Sequence, residues 1–123
     1  MDTIEIYHIC AEAAWKATVA AGRYEGSSLD RADGFIHCSS ADTVQETANR
    51  FFAGRQDLVL LVIDPAKVDG DLKWEPAPDR DDVLFPHLYG TVPLGAIKGA
   101  VPIAPDREGH FRLPEPRGGL LPL

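Results

Sequence analysis

A chain of 123 residues with 45% hydrophobic content has the size and composition of one domain with a single core. Its formal net charge of −7 argues against a dedicated nucleic-acid backbone binder, which carries a basic stripe. No apolar run approaches membrane-spanning length, and residues 1–5 lack the basic and apolar regions of a signal peptide, so the expected location is the cytoplasm. In that compartment Cys10 and Cys38 are expected as free thiols.

Residues 4–10 alternate and predict a first strand, with Ile4, Ile6, His8 and Cys10 on one face and Glu5, Tyr7 and Ile9 on the other. Residues 11–21 are alanine-rich and predict a helix stopped by Gly22, its inner stripe being Ala11, Ala14, Trp15, Thr18 and Val19. Residues 23–34 read as a connection. Phe35 and Ile36 form the apolar part of a short strand ending at His37 and Cys38. Ser39 and Ser40 are expected to open a second helix, because Ser39 and Asp42 have capping-box spacing. Val44, Ala48, Phe51 and Phe52 fall on one face of that helix, and Gly54 ends it.

Residues 57–64 (DLVLLVID) make the most continuous apolar run and predict a central, doubly buried strand ended by Pro65. Residues 72–75 read as a short strand and residues 76–82 as a charged, mobile loop at the mouth of a cleft. The segment VLFPHLYGT follows. Residues 96–103 predict another strand, and Pro102, which cannot donate to a ladder, suggests an edge or a strand end. Residues 109–113 are expected as a last short strand, and residues 114–123 as a loosely ordered Pro/Gly tail. The whole is α+β: one domain over residues 1–113, with two helices in its N-terminal half and small mixed or antiparallel sheets. A small parallel α/β unit is the alternative for the front of the chain. It is the weaker one, because the second half offers no helix.

Three of the four histidines, His8, His37 and His87, sit in apolar surroundings at strand ends or turns, where imidazoles from separate segments can converge for proton transfer. The bland alternative is that each is buried and satisfied by a backbone hydrogen bond. His110 reads as surface. If His37 is delivered to a helix N-terminus, the amides of Ser39 and Ser40 there attract an anion. Arg50 is a further candidate anion contact. Cys38 is a candidate at the same place, either as an activated thiol or as a small buried hydrophobe. A zinc site of His8, Cys10, His37 and Cys38 is not expected, because adjacent His37 and Cys38 point to opposite faces of a strand. Glu75 is a candidate general base or ribose-hydroxyl acceptor, and Trp74 beside it is a candidate ligand-binding residue. Glu75 is expected either to pair with one of the histidines or to face water. Tyr89 could stack on a ligand ring or simply fill core, and it and the adjacent Gly90 are candidate ligand-binding residues.

The ordered motifs IYHIC, Trp15, GFIHCSS, ANRFFAG, DLVLLVID, LKWE and FPHLYGT resemble the bacterial family DUF952, over roughly residues 4–103. That resemblance implies a likeness to the ADP-ribosyltransferase-like fold, with two small packed sheets around a nucleotide cleft. It implies NAD or a related nucleotide as ligand, His8 against the nucleotide, and His37, Cys38, Ser39, His87, Tyr89 and Gly90 in family motifs. The chain departs from such transferases in having no acidic residue in residues 96–103, where they usually carry a glutamate. The expectation is therefore a nucleotide or phosphorylated-ligand cleft, with a non-catalytic interaction module carrying structural histidines as the alternative.

Overall fold

The computed structural model describes residues 5–77 and 80–113. Strand β1 (Ile6–Ala11) pairs antiparallel with β4 (Leu58–Ile63), His8 opposite Leu61. On the far side of β4 lies β7 (Ile97–Ile103), also antiparallel. β4 is thus the central strand of its sheet and all six of its residues are buried, as its unbroken apolar run predicts. Val59, Leu61 and Ile63 feed one core, and Leu58, Leu60 and Val62 feed a second on the opposite face. Truncating either fully buried leucine, Leu60 or Leu61, to alanine costs about 2–5 kcal/mol. Pro102 lies on β7, an edge strand, as expected.

The second sheet is built on the long strand β6 (Leu84–Pro93). β5 (Asp69–Pro76), longer than the four residues expected, runs antiparallel along one edge of it. The other edge carries β2 (Arg23–Tyr24) at Val92 and Pro93, and β3 (Ile36–His37) at Leu88 and His87. Ile36 and Leu88 enter the core between the sheets, so the next pair, His37 and His87, faces the other way. Beyond β3 the chain crosses to the first sheet. The Cys38 amide donates to the Pro86 carbonyl (3.1 Å), and Ser39 exchanges two backbone hydrogen bonds with Tyr7 (2.7 and 2.8 Å). This crossing brings His37 beside β1.

Three helices complete the described residues, one more than expected. α1 (Glu12–Ala21) ends as predicted on Gly22, which is left-handed (φ 81°) and donates to the Thr18 carbonyl. Val19 does not join its inner stripe and is half exposed. The segment 23–34 is not a plain connection: besides β2 it holds α2 (Ser28–Asp33), opened by a complete capping box of Ser27 and Asp30. The expected box at Ser39 and Asp42 is absent, because Ser39 is held in the bridge to Tyr7. α3 starts only at Val44 and runs Val44–Phe51, and its N-cap Thr43 makes no side-chain cap bond. It closes before Gly54, with the Phe52 amide on the Ala48 carbonyl. α3 packs Val44 and Ala48 on the outer core of the first sheet.

Residues 109–113 are not a strand. Phe111 is buried in that outer core, and side chains of α3 replace a ladder partner for its backbone. Asn49 Oδ1 accepts from the Phe111 amide (2.6 Å), Gln45 Oε1 accepts from the Leu113 amide (2.8 Å), and Gln45 Nε2 donates to the Phe111 carbonyl. The expected tail, residues 114–123, lies outside the described residues. No helix among the described residues is long and apolar enough to cross a membrane.

Candidate functional site

Where the sheets part, a cleft of about 670 Å³ opens, lined by residues of β1, β2, β3, β6, α1, α2, α3 and the segments joining them. His8, His37 and His87 all line it, as do Cys38 and Ser39. The histidines therefore converge, yet their environments differ.

His8 is buried and both its ring nitrogens are taken. Nδ1 lies 2.6 Å from the His37 carbonyl, which only accepts, so Nδ1 carries the proton. Nε2, 2.6 Å from the Tyr24 hydroxyl, therefore accepts from it. Burial lowers the pKa of His8 and keeps it neutral, in agreement with this tautomer. Burial likewise pushes the Tyr24 phenol up.

His37 sits between two carboxylates of α2. Its Nδ1–H donates to Asp30 Oδ1 (2.5 Å) and its Nε2–H to Asp33 Oδ2 (2.8 Å), so the ring is an imidazolium. The hydrogen bond to Asp30 is the main cause of its raised pKa. Asp30 is almost completely buried. Burial alone would raise its carboxyl, but the His37 ring and the amides of Ser27 and His37 outweigh this and hold it at about 2. One side chain thus caps α2, orders His37 and lies 3.8 Å from His8 Nε2.

His87 differs from both. Its Nδ1–H donates to Glu75 Oε1 (2.9 Å), an oxygen that also accepts from the Tyr89 hydroxyl (2.6 Å). The Tyr89 and His87 hydrogen bonds lower the Glu75 pKa. Phe35 stacks on the His87 ring (centroids 4.1 Å apart, 26° between planes) and fixes its orientation. Among the described residues Nε2 of His87 has no hydrogen-bond partner, which leaves it as the open imidazole nitrogen in the cleft wall.

Glu75 thus pairs with a histidine, one of its two expected environments. It and Tyr89 stand behind His87 and do not line the cleft. The other expected site residues fall elsewhere. Trp74 is exposed on the opposite face of β5 from Glu75. Gly90 is structural: a Cβ there would stand 1.8 Å from the Asp69 carbonyl oxygen, where β6 passes Gly70. Ser40 is engaged in a turn with Thr43, and the Ser39 amide bonds Tyr7, so neither amide is open to an anion. Arg50 is exposed, 5.6 Å from the Phe51 ring and outside the cleft lining. Cys38, like Cys10, is a free buried thiol. Burial pushes Cys10 up to about 12 and Cys38 higher still, so neither is an activated nucleophile. Among the described residues the only cluster of metal-type ligands is Asp106, Glu108 and His110, all exposed on a turn that the Asp106 carboxylate itself caps.

Three cleft groups were not expected: Tyr24, Asp30 and Arg80. Asp30 was legible as the third residue after Ser27. Arg80 lies in the segment read as a mobile loop, yet it is 7% exposed. Its guanidinium stacks over Phe85 (4.1 Å) and bonds Thr47 (3.1 Å) and Glu46 (2.5 Å). Its Nε–H is buried without a partner among the described residues. No sequence periodicity marks such a residue.

A family model described as DUF952, protein of unknown function, matches residues 9–100. The chain belongs to this family. The crystal structure of protein CC0527 from Caulobacter crescentus, a structural-genomics target, is similar with a TM-score of 0.82 and 40% identity, over 89% of this chain and 94% of that one. Its solution NMR structure gives 0.77 at the same identity, over 89% and 92%. No curated protein matches the chain. His37 and His87 fall inside the matched span, and His8 precedes it by one residue.

Proposed function

We propose that the cleft binds a nucleotide-like ligand, NAD or a related phosphorylated compound, and that His87 exchanges a proton with it while Glu75 holds the ring. The observation that carries this reading is the open Nε2 of His87 in the wall of a cleft where two other histidines meet. A carboxylate behind Nδ1 fixes the tautomer that leaves Nε2 as the base, and it stabilises the imidazolium once a proton is taken. A volume of about 670 Å³ suits a small organic ligand. Phe51, Phe52 and Phe85 offer flat apolar surface for a base or ring.

Two small sheets parting around a cleft fit the likeness to ADP-ribosyltransferase-like folds. Glu75 on β5 would take the place of the glutamate that residues 96–103 lack, acting through His87. A second reading, a non-catalytic module, is favoured by His8 and His37, whose ring nitrogens are all taken by protein groups. The two are separated by calorimetry and turnover assays with NAD, ADP-ribose and AMP. The first reading expects saturable binding that His87→Gln retains, with conversion of the bound compound that His87→Gln abolishes. Binding without conversion supports the module, and absence of binding by all three overturns the nucleotide reading.

A further inference from the structure

We infer that Arg80, Thr47 and Ser39 form a phosphate subsite in this cleft, which rests on the ligand reading above and names where that ligand's anionic group is held. The three residues line the cleft and are linked to one another. Thr47 Oγ1 accepts from Ser39 Oγ–H (3.0 Å) and from Arg80 Nη1–H (3.1 Å). Both its lone pairs are then occupied, and its own proton meets no acceptor among the described residues.

Arg80 has the same surplus of donors. Of its five N–H groups, one reaches Thr47 and one reaches Glu46, while Nε–H is buried with no partner among the described residues. A buried donor left unmade is unfavourable, and a native site that holds one calls for an acceptor. Glu46 is not enough: it is a mostly exposed residue, and it engages Nη2 alone. The Phe85 ring 4.1 Å away holds the guanidinium plane, so its fork is already oriented. Several donors of fixed direction, one of them a permanent cation, match the multiple oxygens of a phosphate better than a neutral carbonyl.

The position also accounts for the rest of the wall. Phe85, which carries the guanidinium, is two residues from His87 on β6, so both side chains leave the same face of the strand. A ligand anchored by its phosphate at Arg80 therefore presents its remaining part toward the open nitrogen of His87. The anion contact expected at the Ser39 and Ser40 amides is absent, and this subsite supplies one from side chains instead.

The test is an NMR titration of the full chain with inorganic pyrophosphate, following the Arg80 Nε–Hε signal, with adenosine titrated separately. A saturable shift of that signal is expected, with affinity about tenfold weaker in Thr47→Val and in Arg80→Lys, the size of one lost charge-assisted hydrogen bond. Arg80→Lys keeps the charge, so a loss there reads the fork and not net charge. An Arg80 signal that pyrophosphate leaves unmoved, or equal affinity in both variants and wild type, overturns the subsite. Adenosine reports on the cleft reading alone through Phe51 and Phe85. Adenosine shifts without a pyrophosphate effect remove the subsite and keep the cleft. A pyrophosphate effect without adenosine shifts keeps the subsite and removes the nucleotide.

Discussion

The cleft has two histidine corners built on opposite principles. At His8 and His37 every ring nitrogen meets a protein group, and a buried carboxylate, Asp30, ties helix α2 to the second sheet. At His87 a single partly exposed carboxylate holds one nitrogen and leaves the other open. The first arrangement suits a fixed wall, because breaking it leaves buried polar groups unpaired. The second suits chemistry, because a base needs an open lone pair and a partner that orients it. Histidines that look alike in sequence thus divide into two whose ring nitrogens are all taken and one that keeps a nitrogen open among the described residues.

The comparison is broken most forcefully at Asp30. Asp30→Ala removes the α2 cap and the main partner of His37, and should cost about 2–3 kcal/mol in urea unfolding. That is below the ~3–5 kcal/mol of a fully buried broken pair, because His37 is 35% exposed and its charge is partly screened. A loss under about 0.5 kcal/mol, the size of an ordinary surface change, would mean that this corner is not the wall described.

The pH dependence of stability is the next largest effect, and its two limbs come from the same corner. The pKa of His37 is raised, so its contribution is fully present below 6.5 and is lost as pH rises through the folded-state value. The pKa of His8 is lowered, so its contribution is present above 6.5 and is lost as pH falls through its folded-state value. Urea midpoints measured across neutral pH should therefore peak near 6.5 and fall on either side of it. His37→Gln should flatten the alkaline limb and leave the acid limb in place. Loss of both limbs together in that variant would contradict the separate roles.

Glu75→Ala should behave differently from Asp30→Ala. The urea midpoint should hardly move, while the ¹⁵N shifts of the His87 ring should change from the Nδ1–H tautomer to a mixture. A large fall in the midpoint would make Glu75 a structural residue like Asp30. The smallest effect concerns the thiols. Cys10 and Cys38 should resist a disulfide reagent in the folded protein at pH 8 and react only on unfolding, since burial holds both in the thiol form. Rapid reaction of either thiol would show that the wall between β1 and β3 opens.

Much of the frame was legible from patterning. The run in β4, the alternation in β1, the Gly22 stop and the proline of β7 each act through local physics that the sequence carries. The helices were read less well. α2 has six residues, too few for periodicity, and only Ser27 and Asp30 announce it. Ser39 has the right neighbours for a cap, but its backbone bonds to Tyr7, a residue 32 positions earlier, and a tertiary contact of that kind leaves no local signal. The site shows the same division. Convergence of the three histidines followed from strand ends. Which of them is saturated depends on Tyr24, Asp30 and Asp33, and on loops whose course is set by packing. Arg80 was misread because a charged, proline-bearing segment resembles a solvated loop, whereas stacking on Phe85 draws the side chain in.

The central claim, that His87 is the reactive nitrogen of a ligand cleft, is tested most directly by titrating NAD into protein with ¹⁵N-labelled histidine. A saturable shift of the His87 Nε2 signal is expected, with His8, neutral and enclosed, moving little. A His87 signal that stays in place up to about 10 mM NAD, well past the range of a specific weak ligand, or a shift at His8 larger than at His87, would contradict it.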